Sequence, residues 1–134
     1  MESTINLMLP HAIHAIGIKE KLYEGSKIKS IYESYLSQFG PMAIQIGLRS
    51  TLAVYKNKSG SSQGTRMYIL DLIYDILTAS QILQAGENSS EKWVNNLLSS
   101  TMEIDSTVEQ KILDASVALK RAIRTFLLTD NKPE

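Results

Sequence analysis

The chain contains no cysteine, only two histidines and one tryptophan, and it carries no net charge, with 14 basic and 14 acidic residues. Without cysteine there are no disulfides and no thiol chemistry, and a zinc site would have to use the two histidines with carboxylates. The balanced charge gives the protein no overall attraction to nucleic acid or to an anionic membrane. The composition therefore predicts neither a metal nor another cofactor.

Long apolar runs are also missing. None approaches the roughly 20 residues that a membrane span needs. The first residues, MESTINLMLPH, lack a basic segment ahead of an apolar core, so they do not read as a signal peptide. We therefore expect a cytoplasmic protein that does not enter a membrane.

Charge is distributed unevenly along the chain. Residues 1–60 carry seven basic and four acidic side chains, residues 61–105 carry two and six, and residues 106–134 carry five and four. The basic excess at both ends and the acidic excess in the middle predict two oppositely charged surfaces. Such surfaces suit a subunit that touches different partners on different sides.

Apolar residues recur at helical spacing, and no segment shows the convincing period-two alternation of a strand. At 134 residues the chain fits a single domain, 1–134, with a frayed tail at 130–134. The pattern predicts an all-α fold, a compact bundle of about six helices. The predicted helices cover about residues 9–23, 27–40, 41–58, 65–85, 91–101 and 106–128.

Short local signals set these boundaries. Pro10 suits the first turn of the first helix, because proline has no N–H to donate. Ser26 is the expected N-cap of the second helix, and Gly40-Pro41 is expected to end or kink that helix. Residues 106–109 read as a capping box that starts the last helix.

The first helix has a second row of residues opposite its core face. The members of this row lie four, three and four residues apart. Such a second row predicts contact with something besides the core, so we assign it to a subunit interface. Its two histidines have a spacing compatible with metal binding, but no third histidine and no cysteine completes a site. Exposed or interface histidines are therefore the preferred interpretation. The row consists of Leu7, His11, His14 and Ile18.

The third predicted helix is apolar on most sides. It is expected to be either central in the core or sandwiched between the core and another protein. Its predicted core face consists of Ile44, Leu48, Thr51, Leu52 and Tyr55. Met42, Ile46, Ala53 and Val54 lie around the rest, and the one polar row consists of Gln45, Arg49 and Lys56.

Residues for catalysis are hard to assemble. No set of nucleophile, base and acid is recognisable, so a non-enzyme is the better prediction. Asp71 and Asp75 lie one turn apart without a nearby partner in sequence, which favours a solvated edge over acid–base chemistry. The last helix has a heptad-like seam for packing against another helix. The seam consists of Val108, Ile112, Ala115, Leu119, Ala122 and Phe126.

Two segments share an ordered set of features with a known family. In the first, a tyrosine-centred helix leads to a proline, an apolar segment ending in Gly-Leu, a small-plus-aliphatic helix and a basic, glycine-containing loop. These are Tyr32, Pro41, Gly47-Leu48, residues 51–55 and residues 56–60. In the second, a threonine, a glutamate, a small-residue run and a Lys-Arg pair are Thr107, Glu109, residues 114–116 and Lys120-Arg121. The chain thereby resembles the small helical subunit of type III-B (Cmr-type) CRISPR RNA-guided effector complexes.

The resemblance implies a non-catalytic subunit for antiviral defence, one that stacks into a filament and helps position guide and target RNA by backbone contacts. The implied partners are other subunits of the effector complex, copies of this chain, and both RNAs through the assembled complex. The candidate RNA-backbone contacts are Lys29, Arg49, Lys56, Lys120, Arg121 and Arg124. The candidate subunit interface consists of Leu7, His11, His14, Ile18, Met42, Ile46 and Val54.

Two alternatives compete with this interpretation. A helical protein–protein adaptor or dimeric regulator with no RNA role would use the seam of the last helix or the row on the first helix. A metal or small-ligand enzyme would rest on His11, His14, Asp71 and Asp75.

Overall fold

The described residues, 3–57, 64–83 and 89–129 of a computed structural model, form six α-helices and one short hairpin. The prediction of an all-α bundle of about six helices is confirmed. The helices are α1 (Thr4–Ile18), α2 (Ile31–Ile46), α3 (Leu48–Lys56), α4 (Met67–Ala79), α5 (Ser90–Ser99) and α6 (Ser106–Ile123). The predicted tail at 130–134 and most of the loop at 59–64 lie outside the described residues.

A small hairpin joins α1 to α2. A 3-10 turn, Glu20–Leu22, leads into β1 (Tyr23–Glu24), which pairs antiparallel with β2 (Lys27–Ile28). Gly25 takes a φ of 66° in the turn, a conformation that glycine tolerates best. No pattern in the sequence predicts these strands, because two residues are too few to show a period-two alternation. The predicted N-cap at Ser26 is also wrong, because Ser26 lies in the hairpin turn.

Helix α1 begins earlier than predicted. The hydroxyl of Ser3 accepts a hydrogen bond from the N–H of Asn6 at 3.2 Å and caps the helix. Pro10 therefore lies inside α1 rather than in its first turn, and its missing N–H leaves the carbonyl of Asn6 without its usual helical partner. The burial of Met8 and Ile16 on one face offsets that local loss.

Helix α2 continues through Pro41, so the prediction that a helix ends at Gly40-Pro41 and a new one starts there is wrong. Phe39 and Ala43 are both buried, one turn apart on one face, and an unbroken helix keeps both on the core. The chain turns instead at Gly47, whose φ of 90° and ψ of 155° end α2 and start α3. Its N–H donates to the carbonyl of Ala43 at 3.0 Å.

Helix α4 lies at the centre of the bundle. It packs against every other helix, and its buried side chains form the middle of the core. Those buried residues are Met67, Ile69, Leu70, Leu72, Ile73, Ile76 and Leu77. The helix ends at Ala79, short of the predicted end near residue 85.

Other predicted boundaries also shift. Asp105, not Ser106, is the N-cap of α6, and its carboxylate accepts from the N–H of Thr107 at 2.8 Å. The predicted capping box is therefore wrong, although the helix starts where expected. Helix α6 ends at Ile123, because the residues that follow leave the helix to pair with the hairpin.

Segment 127–129 runs parallel to β2 and forms a single β-bridge with it, between Ile28 and Leu128. Ile28 donates its N–H to the carbonyl of Leu127 and accepts from the N–H of Thr129, both at 2.9 Å. The hydroxyl of Thr129 also accepts from the N–H of Ser30 at 3.0 Å, just ahead of α2. These bonds tie the end of α6 to the start of α2.

We call this side of the bundle the hairpin end. It contains the hairpin, segment 127–129, the C-termini of α1 and α6, and the N-termini of α2 and α4. The ring centroids of Tyr32 and Tyr68 lie 6.0 Å apart there, and Lys19 Nζ lies 3.2 Å from Asp71 Oδ2. We call the opposite side, with the end of α2 and the start of α6, the far end.

Candidate nucleic-acid interface

Four of the six candidate RNA contacts lie on helix α6 or beside it. Lys120 and Arg121 occupy the last turn of α6, and Arg124 follows directly. Cations at this position are also favoured by the helix dipole, so their presence has a structural reason as well. Arg124 Nε lies 3.2 Å from Glu33 Oε2 on α2, and its side chain remains 56% exposed.

Lys29 joins this group through the backbone of the hairpin end. Its N–H donates to the carbonyl of Leu22 at 2.9 Å, which places it just before α2. Glu33, the partner of Arg124, follows one helical turn later. The structure therefore brings Lys29, Lys120, Arg121 and Arg124 to one side of the molecule, and we call these four residues the basic group.

Arg49 and Lys56 lie elsewhere, on α3. This helix packs against α2, α4 and α5, whereas α6 packs against α1, α2 and α4. Arg49 Nε donates to the carbonyl of Leu97 at 3.0 Å, and its Nη2 donates to the carbonyl of Met102. The guanidinium thus binds the end of α5 and the loop that follows, a role that the sequence did not indicate.

Replacing Arg49 by alanine is expected to lower the free energy of unfolding by about 1–2 kcal/mol, because two hydrogen bonds from a charged donor are lost. Urea denaturation measures the change. Lys56→Ala, on the same helix, is the matched control and should stay within about 0.5 kcal/mol of the parent. Equal stability of both variants would mean that Arg49 does not hold this loop.

The predicted interface row on α1 lies on the protein surface. Leu7 is 59% exposed and Ile18 is 65% exposed, while His14 is exposed and His11 is half-buried. All four lie on one flank of the helix, since their spacing follows the helical repeat. The heptad-like seam of α6 is different: Ile112, Ala115, Leu119 and Ala122 are fully buried inside this chain. The seam is therefore not a dimer surface.

The other predicted interface residues lie around the end of α2 and on α3. Ile46 is 50% exposed and Val54 is 41% exposed, whereas Met42 is half-buried against the core. Ile44 is 84% exposed, so its prediction as a core residue is wrong. Extending the α2 stripe of Phe39 past Pro41 would have placed Ile44 outside the core.

Met102 is an exposed apolar side chain that the sequence did not single out. Its side chain is 75% exposed, and its carbonyl accepts a hydrogen bond from Arg49. Arg49 follows Ile46 by only three residues in the sequence. The exposed side chains of Ile44, Ile46 and Met102 therefore share the far end of the bundle. No periodic signal could have found Met102, because it lies in a loop.

A buried cluster of tyrosines surrounds Arg66. Its guanidinium carbon lies 4.5 Å from the centroid of the Tyr35 ring and 5.8 Å from that of Tyr55. The hydroxyl of Tyr55 donates to the carbonyl of Tyr35. Burial raises the pKa of Tyr55 to about 12, and the nearby charge of Arg66 opposes that shift. This cluster fixes α3 and α4 against α2.

The residues of the alternative enzyme hypothesis are not gathered together. In the described parts of the chain, no three His, Cys, Asp or Glu side chains come together as a metal site. Asp71 is half-buried, forms an ion pair with Lys19 and accepts from the hydroxyl of Ser90, so its prediction as a solvated edge is wrong. Asp75 is exposed.

No helix among residues 3–57, 64–83 and 89–129 is both long enough and apolar enough to span a membrane. What the described surface offers is a basic group at the hairpin end, a mixed apolar and histidine row on α1, and exposed apolar residues at the far end. The fold places the chain in the class of small helical-bundle proteins.

The particular family follows from sequence comparison. A family model described as CRISPR-associated protein (Cas_Cmr5) matches residues 11–126, so the chain belongs to this family, the small subunit of type III-B systems. The resemblance noted from the two sequence segments is thereby confirmed. No curated protein and no solved structure matches the chain.

Proposed function

We propose that this chain is a non-catalytic subunit of a type III-B ribonucleoprotein complex, which stacks into a filament and helps position guide and target RNA for antiviral defence. The observation that carries the RNA role is the basic group. Lys29, Lys120, Arg121 and Arg124 come from distant parts of the sequence and share one side. Flexible cations of this kind meet phosphates without reading bases, which suits a channel that accepts any guide sequence.

The two ends of the bundle support stacking. The hairpin end carries the basic group, whereas Glu103, Asp105 and Glu109 lie at the start of α6, at the far end. The far end also presents the exposed side chains of Ile44 and Met102. Unlike ends favour head-to-tail contact, which repeats as an open helix rather than closing as a dimer. The exposed apolar side chains of the far end support that contact, so the basic group stays available to RNA.

The RNA role is tested by replacing Lys120 and Arg124 together with alanine in a reconstituted complex. Target RNA is expected to bind more weakly whatever its sequence, and the slope of log affinity against log salt should fall by about one per lysine or arginine removed. Filter binding at several salt concentrations measures both quantities. Lys111→Ala, in the first half of α6, is the matched control for loss of one charge.

Unchanged affinity and unchanged salt slope in the double variant would remove these two residues from the RNA surface. A complex that fails to assemble with the double variant would assign them to a subunit contact instead. The copy number of this chain in the purified complex, measured by native mass spectrometry, distinguishes that result from a loss of RNA binding alone.

A protein–protein adaptor without an RNA role is the second candidate function. The exposure of Leu7 and Ile18 on α1 favours it, because exposed apolar rows mark contact surfaces. Two results together would distinguish this function. Leu7→Ser and Ile18→Ser would abolish a stable complex with a protein partner, and the Lys120 and Arg124 double variant would bind target RNA normally.

A further inference from the structure

A cavity of about 350 Å³ lies at the hairpin end, between the starts of α4 and α5. Its volume falls at the small end of the range for ligand sites. Tyr68 and Lys21 form part of its wall, and Asp71, Ser90 and Thr65 contribute polar groups. None of these residues belongs to the basic group or to the candidate subunit interface.

Tyr68 provides a half-exposed aromatic ring with two ammonium groups over it. Lys19 Nζ lies 5.1 Å from the ring centroid and Lys21 Nζ lies 5.8 Å from it. The ring is supported by Tyr32, at an interplanar angle of 36°. An aromatic ring with neighbouring cations is the combination that holds single-stranded nucleic acid, because the ring stacks on a base while the cations meet the phosphates.

The acidic groups of the cavity favour a nucleotide over a bare phosphate as its ligand. Asp71 and Glu91 both line the cavity, and their carboxylates oppose a small anion. Lys19 is held by Asp71 at 3.2 Å, whereas the side chain of Lys21 is exposed. A base can lie near the carboxylates and hydroxyls, which accept hydrogen bonds from its amino group, while its phosphate stays with Lys21.

We propose that this cavity binds one unpaired nucleotide of single-stranded RNA, with its base stacked on Tyr68 and its phosphate at Lys21. The Lys21 ammonium moves from the ring to the phosphate when the base enters. The inference rests on the proposed function, since it places the RNA at the hairpin end. It adds one base-contacting position, tolerant of sequence, to contacts that otherwise involve only the RNA backbone.

The test compares two RNA strands of ten nucleotides, one of adenosine and cytidine and one with the same backbone but no bases. Binding to the 134-residue chain is measured at low salt by fluorescence anisotropy. Tyr68→Leu should weaken binding of the base-containing strand by about 5- to 150-fold, the loss expected for one base stack. Tyr68→Phe keeps the aromatic ring and should bind like the parent.

The strand without bases should bind equally to the parent, Tyr68→Leu and Tyr68→Phe. A loss in Tyr68→Leu that is the same for both strands, or no loss for either, overturns the proposal. So does a parent chain that binds the two strands equally or binds neither. A different result would contradict the proposed function. That result is normal target RNA binding by the complex that carries the Lys120 and Arg124 double variant.

Discussion

Phe39→Ala is expected to lower the free energy of unfolding by about 3–5 kcal/mol, the range for truncating a buried phenylalanine. The side chain is fully buried, and its ring stands edge-on to Tyr55 with centroids 5.1 Å apart. The substitution removes apolar contacts on α2 and also an aromatic pair that connects α2 to α3. Urea denaturation followed by circular dichroism measures the loss.

Gln38→Ala is the matched control, because it changes the exposed neighbour on the same helix turn. We expect the control to change stability by no more than about 0.5 kcal/mol. A cost below about 1 kcal/mol for Phe39→Ala would contradict the packing of α3 against α2. It would also reopen the question of whether α2 continues past Pro41.

The stability of the protein is expected to fall as the pH rises from 10 to about 12, because of Tyr55. Its pKa is 10.0 in the unfolded chain and about 12 in the fold, where burial disfavours the phenolate. Between these two pH values the unfolded state binds fewer protons than the folded state, so a rise in pH lowers the free energy of unfolding. The contribution is complete below pH 10, and its loss amounts to about 3 kcal/mol for two pKa units.

Tyr55→Phe isolates this contribution. The variant is less stable than the parent at neutral pH, because it loses the hydrogen bond to the carbonyl of Tyr35. Its stability should nevertheless fall less steeply from pH 10 to about 12, while Tyr32, whose pKa burial also raises, remains in both proteins. Parallel curves for the two proteins would contradict a buried, neutral Tyr55.

Helix number and fold class followed from the sequence because each helix carries its own apolar stripe. The boundaries did not follow, because they depend on competition between a local cost and distant packing. Pro41 disfavours a helix locally, yet Phe39 and Ala43 both reach the core only if α2 continues. Gly47 then takes the turn, since a φ of 90° costs glycine little.

The candidate site was predictable in composition but not in arrangement. The basic residues of α6 could be named from the sequence, but their closeness to Lys29 depends on the hairpin and on segment 127–129. Arg49 looked like one member of a polar row, and its bonds to the carbonyls of Leu97 and Met102 connect residues that no local pattern relates. Backbone acceptors carry no signature in the sequence.

The pairing of segment 127–129 with β2 joins two parts of the basic group that are distant in sequence. Lys29 follows Ile28 directly, and both the N–H and the carbonyl of Ile28 bond to the backbone of residues just after Arg124. These main-chain bonds hold the backbone of Lys29 beside the end of α6, while the charged groups stay on flexible side chains. Detaching segment 127–129 would therefore separate Lys29 from Arg124 without changing any charged residue.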